Sequence, residues 1–212
     1  MNPITQKTQR TQKTQILWIT QTAMLLAIAL ISQIYLSNLL SFNTVASQLA
    51  VGSTVNLCLI LATVTCGFFS GFSIAFCTPF IAFISGRIVY PQQVFIAALG
   101  NTAIIFIFWL VYRKKIFGAS LNDSVNWTIA SIIGAVAKFL VLWLGMTKIF
   151  INLVLMNDET LTAQKIEQMT AVITLNFTWT QLVTASMGGI LSFAVYRVLK
   201  NVLFEKPFKI KN

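Results

Sequence analysis

Histidine is missing altogether from this chain, and only five of its 212 residues are acidic. The first absence removes any Ser, His and Asp triad and the commonest metal ligand. The second leaves every apolar segment without the Asp, Glu or His that a membrane proton relay needs. No DxxD-type pair is present to hold Mg2+, and no glycine-rich loop ends in Lys-Ser or Lys-Thr, so ATP binding by that route is excluded too. Catalysis is therefore not expected, and neither are a metal site or a cofactor. Cysteine is scarce: Cys58, Cys66 and Cys77 all fall within apolar runs, without metal-ligand spacing, and read as small buried hydrophobes.

Long apolar runs are what the chain has instead. Hydrophobic residues make up 57% of it and charged residues 9%, at a mean hydropathy of +0.79, which lies outside the range of soluble domains. Runs of about 20 residues, the length that crosses a hydrocarbon core of ~30 Å, recur at 16–36, 51–69, 72–89, 94–112, 127–149 and 177–199. The expected fold is an all-α integral membrane protein of six transmembrane helices in a lipid bilayer. A basic tail over 1–15, a six-helix membrane domain over 16–200 and a second basic tail over 201–212 are its expected parts. The first apolar run is span-length and lacks a small-residue cleavage site, so the N-terminal tail is read as retained rather than as part of a removable signal peptide.

Charge sets the direction of insertion, because Lys and Arg gather on the cytoplasmic side of short loops. Lys7, Arg10 and Lys13 precede the first span, Arg113, Lys114 and Lys115 follow the fourth, and Arg197, Lys200, Lys206, Lys209 and Lys211 follow the sixth. With six spans all three clusters share one side, and both termini are expected in the cytoplasm. The other side holds the uncharged stretch 37–50 and the loop 152–176, which carries Asp158, Glu159, Lys165 and Glu167. Within that loop, LTAQKIEQM has the composition of a short surface helix. The net charge of +10 is explained by these span-flanking clusters, so no nucleic-acid partner is expected.

Polar residues inside the spans fall mostly in the outer half. At a rise of ~1.5 Å per residue, Lys138 lies near the midplane, Asn56 and Asn101 lie about two turns in from the outer ends of their spans, and Gln181 about one turn in. Arg87 and Lys148 are close to outer ends, and Trp143 and Trp179 accompany them. A lysine at membrane depth costs roughly 2.5 to 3.5 kcal/mol on insertion scales and survives where it lines a polar cavity or meets a partner. Two readings follow. In one, Lys138 floors a pocket walled by Asn56, Asn101 and Gln181, with Arg87 and Trp179 beside it, holding a small polar solute. In the other, the amides join helices, Arg87 and Lys148 snorkel to the interface, and Trp179 belongs to an aromatic belt. Ala23 and Ala27 stand one above the other on the first span, where small residues four apart admit another helix, either from a partner or within the bundle. Pro79 should kink the third span and free a carbonyl.

The stretch VGSTVNLCLILATVTCGFFSGFSIAFCTPFIAFISG, with IAALGN, AVAKFLVLWL, TWTQLVTASMGG and the Ala23-x-x-x-Ala27 pair, resembles the substrate-binding S components of energy-coupling factor (ECF) vitamin transporters, in particular a clostridial-type group of unassigned substrate. The resemblance covers nearly the full length. It implies a substrate-binding subunit of a bacterial cell membrane that captures a vitamin-like solute from outside, and partners consisting of a transmembrane scaffold protein and two cytoplasmic ATPases. It also implies that Ala23 and Ala27 face the scaffold, and that the pocket falls on Asn101, Lys138, Trp179 and Gln181 with the first outer loop closing over it. A membrane assembly or interaction subunit without transport, or a stand-alone facilitator, remain the alternative functions.

Overall fold

The computed structural model describes residues 3–36, 39–40, 45–118 and 122–203. Among them there is no strand. The chain runs through α1 (Pro3–Ile31), α2 (Val45–Thr65), α3 (Phe68–Ile84), α4 (Pro91–Phe108), α5 (Asp123–Leu142), α6 (Ala163–Phe177) and α7 (Trp179–Leu203). Three of these continue as wider π-helical turns: α1 through Ser32–Leu36, α4 through Trp109–Arg113 and α5 through Trp143–Leu155. Residues 1–2 of the expected N-terminal tail, 37–38 and 41–44 of the expected outer stretch, and the expected C-terminal tail beyond residue 203 lie outside the described residues.

Local chemistry accounts for the breaks. Gly67, at φ 118°, turns the chain between α2 and α3, and Gly86, at φ 75°, does so after α3; both angles lie in the left-handed region that side chains disfavour. Pro91 opens α4 after an extended Tyr90, at the first helical position where its missing N–H is no loss. Asn122 accepts from the Ser124 backbone N–H at 3.3 Å to start α5, and Thr162 accepts from Lys165 N–H at 3.4 Å to start α6.

Among the described residues, five helical stretches are long and apolar enough to cross a membrane: Thr14–Leu36, Val45–Thr65, Pro91–Arg113, Asp123–Leu155 and Ala163–Lys200. The apolar α3 is shorter, at 17 residues. Several boundaries differ from the expectation. The second span begins and ends earlier than 51–69, because Gly67 stops it. The third occupies Phe68–Ile84 rather than 72–89, so that Arg87 sits in the turn after it rather than on it. The fifth does not end at 149, since π-helical turns carry it to Leu155. The expected loop 152–176 is mostly helix, and α6 runs well past the LTAQKIEQM segment until Thr178 breaks it from α7.

The core lies between α2, α3, α4, α5 and α7, where Leu59, Ile60, Ile74, Ile104 and Phe108 are wholly buried. Trp127 anchors one end of it among Phe108, Tyr112, Phe193 and Tyr196, with ring centroids 4.9 to 5.6 Å away. At the opposite end Met146, Phe150, Ile151 and Leu155 of the α5 extension pack with Ile173 of α6, which fixes α6 across that end. α1 lies on the outside of the bundle, with Ile16, Ile19, Met24 and Ile31 exposed.

Candidate functional site

A cavity of about 140 Å³ opens where the C-terminal end of α1, the start of α2, the end of α3, the start of α4 and the α6–α7 junction converge. Its polar lining comprises Gln33, Gln48, Thr78, Arg87, Asn101, Lys138, Asn176 and Gln181; Val51, Val55, Ala82, Leu142 and Phe177 supply apolar wall. No carboxylate is among the lining residues.

Lys138 is held from two sides. Its Nζ donates to Asn56 Oδ1 at 2.8 Å and to Asn101 Oδ1 at 2.9 Å, and the residue is only 3% exposed. Charge-assisted bonds of this length are the strong kind. Each asparagine is oriented in turn by its amide: Asn56 Nδ2 donates to Thr184 Oγ1 at 3.4 Å, while Asn101 Nδ2 is shared between Thr78 Oγ1 at 3.4 Å and Ala75 O at 3.5 Å. That last acceptor is the carbonyl left without its helical donor by Pro79, so the proline in α3 and the asparagine in α4 answer one another. Gln33 Nε2 donates to Thr78 O at 3.2 Å. A single polar chain thus runs from α1 through α3, α4 and α5 to α2 and α7.

Close backbone approach makes this possible. A Cβ on Gly188 would collide with Asn56 Cβ, and one on Gly100 would lie 2.6 Å from the Leu142 side chain. The α7 backbone is thereby pressed onto Asn56, and α4 onto α5 beside Lys138.

The residues singled out from sequence divide accordingly. Lys138, Asn101, Gln181 and Arg87 line the cavity. Asn56 stands behind it as a partner of Lys138. Trp179 is outside the lining, 62% exposed and packed on the Phe139 ring at 5.4 Å, because the break at Thr178 turns it outward. Lys148 lies over the Trp143 ring at 5.5 Å, away from the cavity. Ala23 and Ala27 are exposed on α1, whereas Ala29 is buried. Lys138 does not lack partners, as a lone intramembrane cation would; two amide oxygens meet it in place of a carboxylate. Sequence reasoning passed over Gln33, Gln48 and Asn176. Gln33 carries the same signal as Asn56, an amide within an apolar run, whereas the other two fell in stretches read as loops.

Arg87 Nη1 and Gln33 Oε1 are buried without a hydrogen-bond partner among the described residues. The Tyr90 hydroxyl donates to Asp158 Oδ2 at 3.3 Å, tying the α3–α4 turn to the segment before α6. Bonds from Thr160, first its hydroxyl at 2.5 Å and then its N–H at 3.1 Å, hold the Asp158 carboxyl below the usual carboxylate range. Partial burial and then the Asp158 charge push the Tyr90 hydroxyl up.

The family model described as "ECF transporter, substrate-specific component" matches residues 18–200. No curated protein and no solved structure matches the chain.

Proposed function

The chain belongs to the substrate-specific components of ECF transporters, and on that footing we propose that it captures a vitamin-like solute bearing an anionic or strongly accepting group in the cavity around Lys138. The observation that carries this reading is a cavity with two cations, Arg87 and Lys138, six amide or hydroxyl side chains and, among the described residues, no carboxylate. Arg87, Asn101, Lys138 and Gln181 line the solute site, and Asn56 supports it.

The site opens to the outside of a bacterial plasma membrane. Arg113, Lys114, Arg197 and Lys200 stand at the end of the bundle away from the cavity, and the excess of cations there marks the cytoplasmic side. On that orientation α3, third in chain order, brings the number of spans to six, both termini are cytoplasmic, and α6 lies across the outer end. The basic segments 1–15 and 201–212 flank the membrane domain on the inner side. The solute passes onward through a scaffold protein driven by two cytoplasmic ATPases, and the exposed Ala23 and Ala27 face of α1 is where the scaffold docks, since small residues let two helices approach closely in lipid.

Co-purification and uptake test this together. The tagged chain should bring down a scaffold with ATPases, and Ala23→Leu with Ala27→Leu should abolish uptake while the purified protein still retains its solute. Uptake that survives both substitutions, in cells without any such module, points to a stand-alone facilitator instead.

A further inference from the structure

The two cations of the cavity have different surroundings. Lys138 Nζ is engaged by two amide oxygens within 2.9 Å, whereas Arg87 Nη1 is buried with no partner among the described residues. Buried polar groups nearly always find partners, so an unpaired guanidinium nitrogen beside a cavity marks a place where something else is meant to bind. A guanidinium also offers a planar fork that matches a carboxylate or phosphate, which an ammonium does not.

The chain's own acids are committed elsewhere or lie away from the cavity. Asp123 meets Lys115 and Lys200, Asp158 is bonded by Tyr90 and Thr160, and Glu159 and Glu167 are exposed. Glu205 lies outside the described residues, and the stretch 37–44 that joins α1 to α2 contains no acid. Gln33 Oε1 is the second unpaired group lining this cavity. Its assignment as oxygen is secure on chemical grounds, because the other amide atom faces the Thr78 carbonyl and must be the donor.

Resting on the reading of this cavity as the solute site, we infer that Arg87 rather than Lys138 is the anchor for the solute's acidic group, and that the solute is an organic oxyanion, a carboxylate or phosphate ester, carrying a hydroxyl, amine or amide donor for Gln33 Oε1. Lys138 is a positioning residue. It fixes Asn101, which lines the cavity, and Asn56 behind it, and adds positive potential without being the direct contact.

The test is binding by the purified full-length chain to matched acid and neutral probes: nicotinate and nicotinamide, pantothenate and pantothenol, biotin and biotinamide, pyridoxine 5′-phosphate and pyridoxine. At least one acid should bind about tenfold or more tighter than its neutral partner. Arg87→Gln should collapse that ratio towards one, and Arg87→Lys should restore part of it, which also shows that the site still folds. Lys138→Met should weaken both members of the pair while preserving most of the ratio, and Gln33→Leu should weaken both alike. A ratio that survives Arg87→Gln, or one that Lys138→Met alone removes, overturns the assignment. Binding of neutral probes only, or of no acid at all, overturns the oxyanion class. The reading as a solute-capturing subunit fails separately, through loss of uptake in cells that hold the whole transporter.

Discussion

At the end of the bundle where α4 passes into α5, Lys115 and Lys200 reach Asp123 at 3.6 and 3.2 Å, and Arg113 donates to the carbonyls of Thr63 and Val64 at 3.2 and 2.9 Å. At the other end, Lys138 and Arg87 share a cavity with amides and no carboxylate. The Asp123 pairs are exposed to roughly two-fifths and solvated, so they contribute little. At the second end, Lys138 and the Nη1 of a half-buried Arg87 are shut away from solvent, where a charge without a counter-charge is costly. On the proposed reading, positive charge at the first end follows the membrane, whereas at the second it follows the solute.

The largest expected effect comes from breaking the buried end. Asn56→Leu or Asn101→Leu leaves Lys138 with one acceptor, and each should destabilise the protein by about 1 to 3 kcal/mol, read as a fall in thermal midpoint. Adding Lys138→Met to both substitutions removes every member of the network together and should recover most of that stability, without recovering solute binding. If the triple variant is no more stable than the worst single one, the three side chains do not act as a unit.

A smaller effect is expected at the solvated end. Asp123→Asn should cost at most about 1 kcal/mol, less in high salt, and solute affinity should be unchanged. A change in affinity would mean that the two ends are coupled.

The smallest effect is a pH dependence at the Tyr90–Asp158 contact. Asp158 titrates below its ordinary value in the folded protein, so its contribution is complete above the unfolded value of about 3.9 and is lost as pH falls through the lower folded one. The difference in melting temperature between wild type and Asp158→Asn should be constant from about pH 5 to 7 and close below about pH 4. A gap that widens on acidification would contradict the bonds from Thr160 and Tyr90.

How much of this was legible in the sequence depended on what each signal reports. Hydropathy finds apolar length, and it located the helices; it is blind to hydrogen-bond period, so it could not show the π-helical turns that carry α5 to Leu155. Depth along a span picked out Lys138, Asn56, Asn101 and Gln181, but depth has no azimuth. Only the packing of α2 and α4 on α5 shows that two asparagines, 82 and 37 residues away in sequence, meet the same Nζ. The same lack of azimuth put Trp179 beside the solute, although the break at Thr178 faces it outward. For Arg87 the sequence left a pocket wall and a snorkelling position both open, and the turn at Gly86 sets it beside the cavity.

Mass spectrometry of the small molecules retained after mild purification tests the central claim most directly. The account predicts that the wild-type protein carries one organic oxyanion in near-stoichiometric amount and that Arg87→Gln, folded and purified in the same way, has lost it. A neutral solute, or an acid that the variant holds equally well, would contradict the account.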